Sequence, residues 1–107
     1  MTFHVKSGLD DTEFQRFRAQ YEVCKREKAP NVWIVKPGEN TNRGQGIQVA
    51  KDFAEIKDII IESTQNRKRT CIVQKYIHNP LLIHRRKFDI RTFALMTSVN
   101  GTLKAYL

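Results

Sequence analysis

The residues best placed to do chemistry in this chain fall into three clusters. The first is WIVKPGENTNRGQGIQV, Trp33 to Val49, where two apolar runs flank a polar loop carrying three of the chain's five glycines. Arg43-Gly44-Gln45-Gly46 puts two glycines where backbone amides can approach a phosphate chain without a Cβ in the way, and Lys36, just before the loop, adds a point charge. No Gly-Lys-Ser/Thr follows and the loop returns to a strand, so this is not a P-loop; nor is it the glycine fingerprint that opens a helix in dinucleotide folds. Taken alone, a glycine-rich hairpin is more often only a turn. The second cluster is QKYI, Gln74 to Ile77. A strand edge offering backbone donors and acceptors beside a lysine, a tyrosine and an apolar side chain suits a flat heteroaromatic ring such as adenine, although such a stretch is more often a plain strand end. In the third, KFDIR, the period of two puts Lys87, Asp89 and Arg91 on one strand face. Three ionisable groups in such a row are costly unless they meet solvent or a charged ligand, and a solvated face remains the alternative. His78 and His84 flank a proline without a carboxylate or cysteine at ligand spacing, so no metal ligand is assigned.

The elements that must position these clusters are legible in part. Phe14, Phe17, Tyr21 and Cys24 recur at three and four residues, which predicts a helix over 11–28 capped by Asp10 or Asp11 and ended by Pro30. NVWIVK and GIQVA predict two strands of a hairpin, Val32 to Ala50. Asp52 and Glu55 have the spacing of a capping box ahead of Phe53, Ile56, Ile59 and Ile60, in a helix expected to fray near Thr64. After the basic turn QNRKR, TCIVQKYI reads as a buried strand broken by Asn79-Pro80. KFDIRTFALMTSV alternates as one long strand, and Asn100-Gly101 is a strong hairpin signal, with TLKAYL returning and the chain then looking severed. Neither an internal repeat nor a low-complexity segment is present.

The bulk numbers narrow the partners. The 107 residues allow one domain or a piece of one. No apolar run approaches the roughly 18 residues needed to cross a bilayer, so no membrane partner is expected. The N-terminus does not resemble a secretory signal, and two cysteines without a framework fit a reducing, cytoplasmic compartment. The net charge of +8 is uneven: residues 1–66 carry ten basic and ten acidic side chains, whereas residues 67–91 carry eight basic against one acidic. That concentration points to an anionic partner such as nucleotide phosphates or an acidic polypeptide, with a solvated face as the bland alternative. The aromatics of the basic segment form no stacking series, which argues against nucleic acid.

In this order, WIVKPGENTNRGQGI, VQKYIHNPLLI and RRKFDIRTFALMTS closely resemble the tubulin tyrosine ligase-like family over residues 31–107. Residues 1–30, an N-terminal helical segment, carry no comparable motif. The resemblance implies an α+β fold, part of an ATP-grasp domain with a mainly antiparallel sheet and two flanking helices. It implies ATP-dependent ligation of an amino acid, glutamate or glycine rather than tyrosine, to a protein carboxylate on tubulin or another acidic tail, at microtubules or cilia. By the same resemblance Lys36 contacts nucleotide phosphates, Arg43, Gly44, Gln45, Gly46 and Ile47 form the phosphate-covering hairpin, and Gln74, Lys75, Tyr76 and Ile77 form the adenine-binding edge. Lys87 and Asp89 are further nucleotide contacts, and Arg91 is the catalytic arginine beside the reacting carboxyl and the incoming amino acid.

The chain departs from the family pattern in one respect. The magnesium ligands of relatives lie on later strands, and no Asp or Glu follows Asp89 here, so the segment alone is expected to be catalytically defective. The rival reading is a truncated, non-catalytic module that binds nucleotide or an acidic tail. Strand parity further predicts that Phe93, Leu95 and the CIV run pack on the helices, while Lys36, Lys75, Lys87, Asp89 and Arg91 line one cleft.

Overall fold

The computed structural model describes residues 1–39 and 44–107. Asp11 sets the first helix. Its backbone is extended, and its carboxylate accepts from the Glu13 amide at 2.8 Å on one oxygen. The other oxygen accepts from the Lys6 amide at 2.8 Å and from the Ser7 amide and hydroxyl. These donors favour the anion, the Lys6 amide most and then the Glu13 amide, and hold the Asp11 carboxyl down at about 2. The helix α1, Thr12–Arg26, buries Phe14, Phe17, Tyr21 and Cys24, as their spacing predicts. It ends in a reversal with Lys28 at φ 54°, where the Ala29 amide donates to the Cys24 carbonyl at 2.9 Å and the Lys28 amide to that of Lys25 at 3.2 Å. This is a Schellman cap built on lysine where glycine is usual.

Four antiparallel strands form the main sheet in the order β1 (Thr2–Val5), β4 (Cys71–Lys75), β2 (Trp33–Pro37), β3 (Gln48–Ala50). Residues 1–30 thus give this sheet a strand as well as a helix, with Phe3 opposite Val73. The period of two sends Phe3, Val5, Trp33, Val35, Ala50, Cys71 and Val73 to one face, where α1 and α2 (Phe53–Ile61) cover them. Phe17 packs edge-on to Trp33 with centroids 5.0 Å apart, and Phe53 stacks on Phe17 at 6.0 Å, so both helices share one face. The polar atoms of this core are paired: Tyr21 Oη donates to the Lys51 carbonyl at 2.7 Å, and Trp33 Nε1 to Asn31 Oδ1 at 2.7 Å.

Several expectations need correction. Asp52 caps α2 through its extended backbone, but its side chain makes no capping hydrogen bond. The helix does not fray at Thr64; it widens into a π turn, Glu62–Asn66, in which Thr64 Oγ1 takes the Ile60 carbonyl at 2.7 Å and the Arg67 amide reaches back to Glu62 at 3.1 Å. A threonine hydroxyl competing for the i−4 carbonyl is a known cause of such a bulge. The long strand expected over KFDIRTFALMTSV is broken. Arg86–Lys87 (β6) instead pairs back on Leu82–Ile83 (β5) through His84 and Arg85, both at positive φ, and residues 88–94 form no regular element. Only Leu95–Val99 (β7) is a strand of that run, paired with Thr102–Tyr106 (β8) across Asn100-Gly101. Both turn residues have positive φ, 49° and 76°, as a two-residue primed turn requires. Phe93 and Leu95 do not pack on the helices; they are 82% and 61% exposed, because no second layer covers this hairpin. Cys71 and Val73 of the CIV run are buried as expected.

Candidate functional site

The face of the sheet away from the helices carries the alternate residues, Ile34 and Lys36 on β2, Ile72 and Gln74 on β4, Thr2 and His4 on β1. Cross-strand bonds fix the polar ones: Lys36 Nζ donates to Gln74 Oε1 at 2.8 Å, and Gln74 Nε2 to Thr2 Oγ1 at 3.1 Å. The Lys36 ammonium is therefore oriented from a neighbouring strand instead of swinging freely. Over this row lies an open cavity of about 510 Å³. Lys36, Gln74, Lys75, Tyr76, Ile77 and Lys87 border it together with Met1, Ile34 and Pro80. Six of the residues singled out by sequence thus meet at one place, from two strands of the sheet and the β5–β6 hairpin. Lys87 Nζ stands 6.0 Å from the Tyr76 ring centroid, so a cation and an aromatic face share one wall.

The backbone here differs from an open strand edge. β4 is an inner strand, the Lys75 amide donates to the Met1 carbonyl and the Tyr76 amide to the Val32 carbonyl, both at 3.0 Å. Among the described residues no acceptor takes the Ile77 amide. The Lys75 side chain also points elsewhere: its Nζ donates to the Pro30 carbonyl and to Cys24 Sγ at 3.2 Å, and lies 4.7 Å from the centroid of Trp33.

The glycine hairpin sits apart from this cavity. Gly44 and Gly46 have φ of 75° and 76°, conformations that other residues adopt at a cost, and a Cβ on Gly46 would meet the Pro37 ring at 3.0 Å. Gly46 borders a smaller cavity of about 110 Å³ with Pro37, Glu62, Arg67 and Arg69. Gln45 and Ile47 are exposed, and Arg43 lies outside the described residues. Asp89 and Arg91 are exposed in the irregular segment 88–94 and border neither cavity, and Lys75, opposite Trp33, turns its ammonium to the helix side. Of the five-residue cleft expected from strand parity, only Lys36 and Lys87 therefore bring their ammonium groups to the cavity. Parity places residues on a face only where a strand exists, and none exists over residues 88–94. Sequence reasoning missed Met1, Ile34 and Thr2. For Thr2 and Met1 the only signal is the short TFHV alternation.

Together these groups offer two ammonium ions, an aromatic face and apolar walls around a space of ligand size, which suits an anion joined to a flat ring. The sequence matches the tubulin-tyrosine ligase family over residues 9–107. Among curated proteins it is 37% identical over 86 residues to tubulin glycylase 3C of Tetrahymena thermophila, covering 80% of this chain and 8% of that protein. It is 38% identical over 91 residues to tubulin glycylase 3B of Drosophila melanogaster, covering 85% of this chain and 11% of that one. It is 36% identical over 100 residues to human tubulin polyglutamylase TTLL11, covering 92% and 13%. The chain spans only a small part of each of these relatives, and its own match runs nearly from end to end: it belongs to the tubulin-tyrosine ligase family.

Proposed function

We propose that this chain forms the nucleotide-holding part of an ATP-grasp domain that, within a longer protein, joins glycine or glutamate to a carboxylate of tubulin at microtubules or cilia. The observation that carries it is the meeting of Lys36, Gln74, Lys75, Tyr76, Ile77 and Lys87 around one cavity of about 510 Å³ in a member of this family. That space falls within the range of roughly 300–1,000 Å³ usual for small-molecule sites. Lys36 and Lys87 would hold phosphates, the Tyr76 ring and the Ile77 backbone the purine, and the hairpin from Arg43 to Ile47 would fold over the phosphates. Asp89 and Arg91 would complete the site from the 88–94 segment.

Bound ATP would supply activation of the acceptor carboxylate. What the chain's own residues add is orientation: Gln74 fixes Lys36 before any ligand arrives, and a preplaced cation stabilises developing negative charge without reorganising. Among the described residues no group of three His, Cys, Asp or Glu could hold a metal, so these side chains by themselves do not fit a magnesium site. The glycine-or-glutamate reading leans on the relatives, which are named as glycylases and polyglutamylases. The test is incorporation of labelled glycine and glutamate into tubulin by the longer protein, native and Lys36→Ala. Loss of one preplaced charge should lower the rate about 100-fold. A rate within twofold of native would remove Lys36 from the site.

A further inference from the structure

Lys75 borders the nucleotide cavity yet spends its ammonium on a different neighbourhood. Its Nζ touches Cys24 Sγ at 3.2 Å, and Gln20 Nε2 reaches the same sulfur at 3.6 Å. Cys24 sits in the last turns of α1 and is only 6% exposed, but it borders a second open cavity of about 480 Å³, shared with Gln20, Pro30, Lys75 and Tyr76. An amine and a thiol 51 residues apart in sequence are thus held in contact where a small oxidant can reach them. The other cysteine is a built-in contrast. Cys71 has no exposed surface, burial pushes its thiol up to about 12, and it borders no described cavity.

We propose that Cys24 and Lys75 are the two ends of a peroxide-driven sulfenamide cross-link that, when closed, neutralises the Lys75 amine and keeps it from turning to the nucleotide cavity it borders. The consequence for nucleotide rests on the function proposed above; the cross-link itself does not. In the first step the Cys24 sulfur attacks hydrogen peroxide. An S–O bond forms, the O–O bond breaks, sulfur loses two electrons and the peroxide leaves as water. In the second, Lys75 Nζ, having given its extra proton to solvent, attacks the sulfenic sulfur: an S–N bond forms, the S–O bond breaks, and the hydroxyl departs with an amine proton as water. The chain is then lighter by two hydrogens, about 2 Da. A small thiol reverses the change by attacking the sulfur, returning the amine and, with a second thiol, the free cysteine. While closed, the link ties the end of α1 to the end of β4.

The test is intact-mass and peptide analysis of the purified chain after hydrogen peroxide. A species about 2 Da lighter is expected, lost on adding dithiothreitol, with Cys24 and Lys75 in one linked peptide pair. It should be absent from Cys24→Ser and from Lys75→Arg, which keeps the positive charge, each variant first shown folded by circular dichroism. The proposal is overturned by no mass change, by Cys24 sulfinic acid with Lys75 still open to trypsin, or by a lighter species that persists in Lys75→Arg, the sign of a Cys24–Cys71 disulfide. A fluorescent ATP analogue gives a second readout. Oxidised native chain should bind about tenfold more weakly than reduced chain, whereas Cys24→Ser should be indifferent to peroxide. A cross-link that leaves affinity unchanged refutes the effect on the cavity, and a reduced chain that never binds the analogue refutes the nucleotide reading while the mass result still decides the cross-link.

Discussion

Residues 1–75 and residues 76–107 each contain two five-residue strands with equally regular antiparallel registers, yet only the first region forms a buried core. The hairpin β7–β8 matches β2 and β4 in having five residues per strand, but every core residue lies between Phe3 and Val73. Leu103 is 66% exposed and Phe93 82%, whereas Trp33 and Val73 have no exposed surface. The radius of gyration, 18.0 Å, is well above the roughly 13 Å usual for a chain of this length. Pairing is local and needs only a good turn; burial needs a second layer, and α1 and α2 supply one to the first sheet alone.

That contrast can be broken at its centre. Trp33→Ala removes the largest fully buried side chain and strands Asn31 Oδ1, so it should destabilise by about 3–5 kcal/mol in urea unfolding. A much smaller effect would mean that the core is not where the stability lies. The cap of α1 comes next. Asp11→Ala should cost about 1 kcal/mol at neutral pH, part of the charge effect being screened at this surface position. Its folded pKa, about 2, lies below the ordinary value of 3.8, so the anion's contribution is complete above pH 4 and fades as pH falls from 4 to 2. Native and variant stabilities should converge over that window; parallel curves would exclude Asp11 as the titrating group. Lys28→Gly should stabilise by about 0.5–1 kcal/mol, since glycine adopts the positive φ of this cap without a Cβ penalty, and a thermal shift downward would contradict the Schellman geometry. Least of all, Phe93→Ala should leave the midpoint within about 0.5 kcal/mol. A loss comparable with that of Trp33→Ala would erase the distinction between the regions.

The same division governs what could be seen in the sequence. Helix α1, the β2–β3 hairpin and the Asn100-Gly101 turn were legible because each rests on local physics: a 3.6-residue period, an alternating run, a dipeptide that tolerates positive φ. The joining of Gln74 and Tyr76 to Lys36 and Lys87 was visible only as a family resemblance. Period alone says which face a side chain takes and not which strands are neighbours. The β5–β6 turn was invisible because His84 and Arg85 are unusual at positive φ, and missing it made Lys87 to Val99 look like one strand. Strand β1 was missed for a different reason, since four residues of TFHV become a strand only beside β4.

That pairing has a kinetic consequence. Thr2 and Gln74 are 72 residues apart, so β1 leaves a ribosome well before its partner and has to wait for it. At roughly 5–20 residues per second the wait lasts several seconds, far longer than closing the β7–β8 hairpin, which takes about 1–10 μs. Throughout that interval the β2–β3 hairpin and both helices can form, but the sheet has no second inner strand and Phe3 and Val5 remain in water. Arrival of Cys71 to Lys75 joins the two halves in one step, and the non-local contacts that define the cavity are born with it. Until then the nascent chain holds an apolar strand with both edges free, a template for pairing with a neighbouring chain.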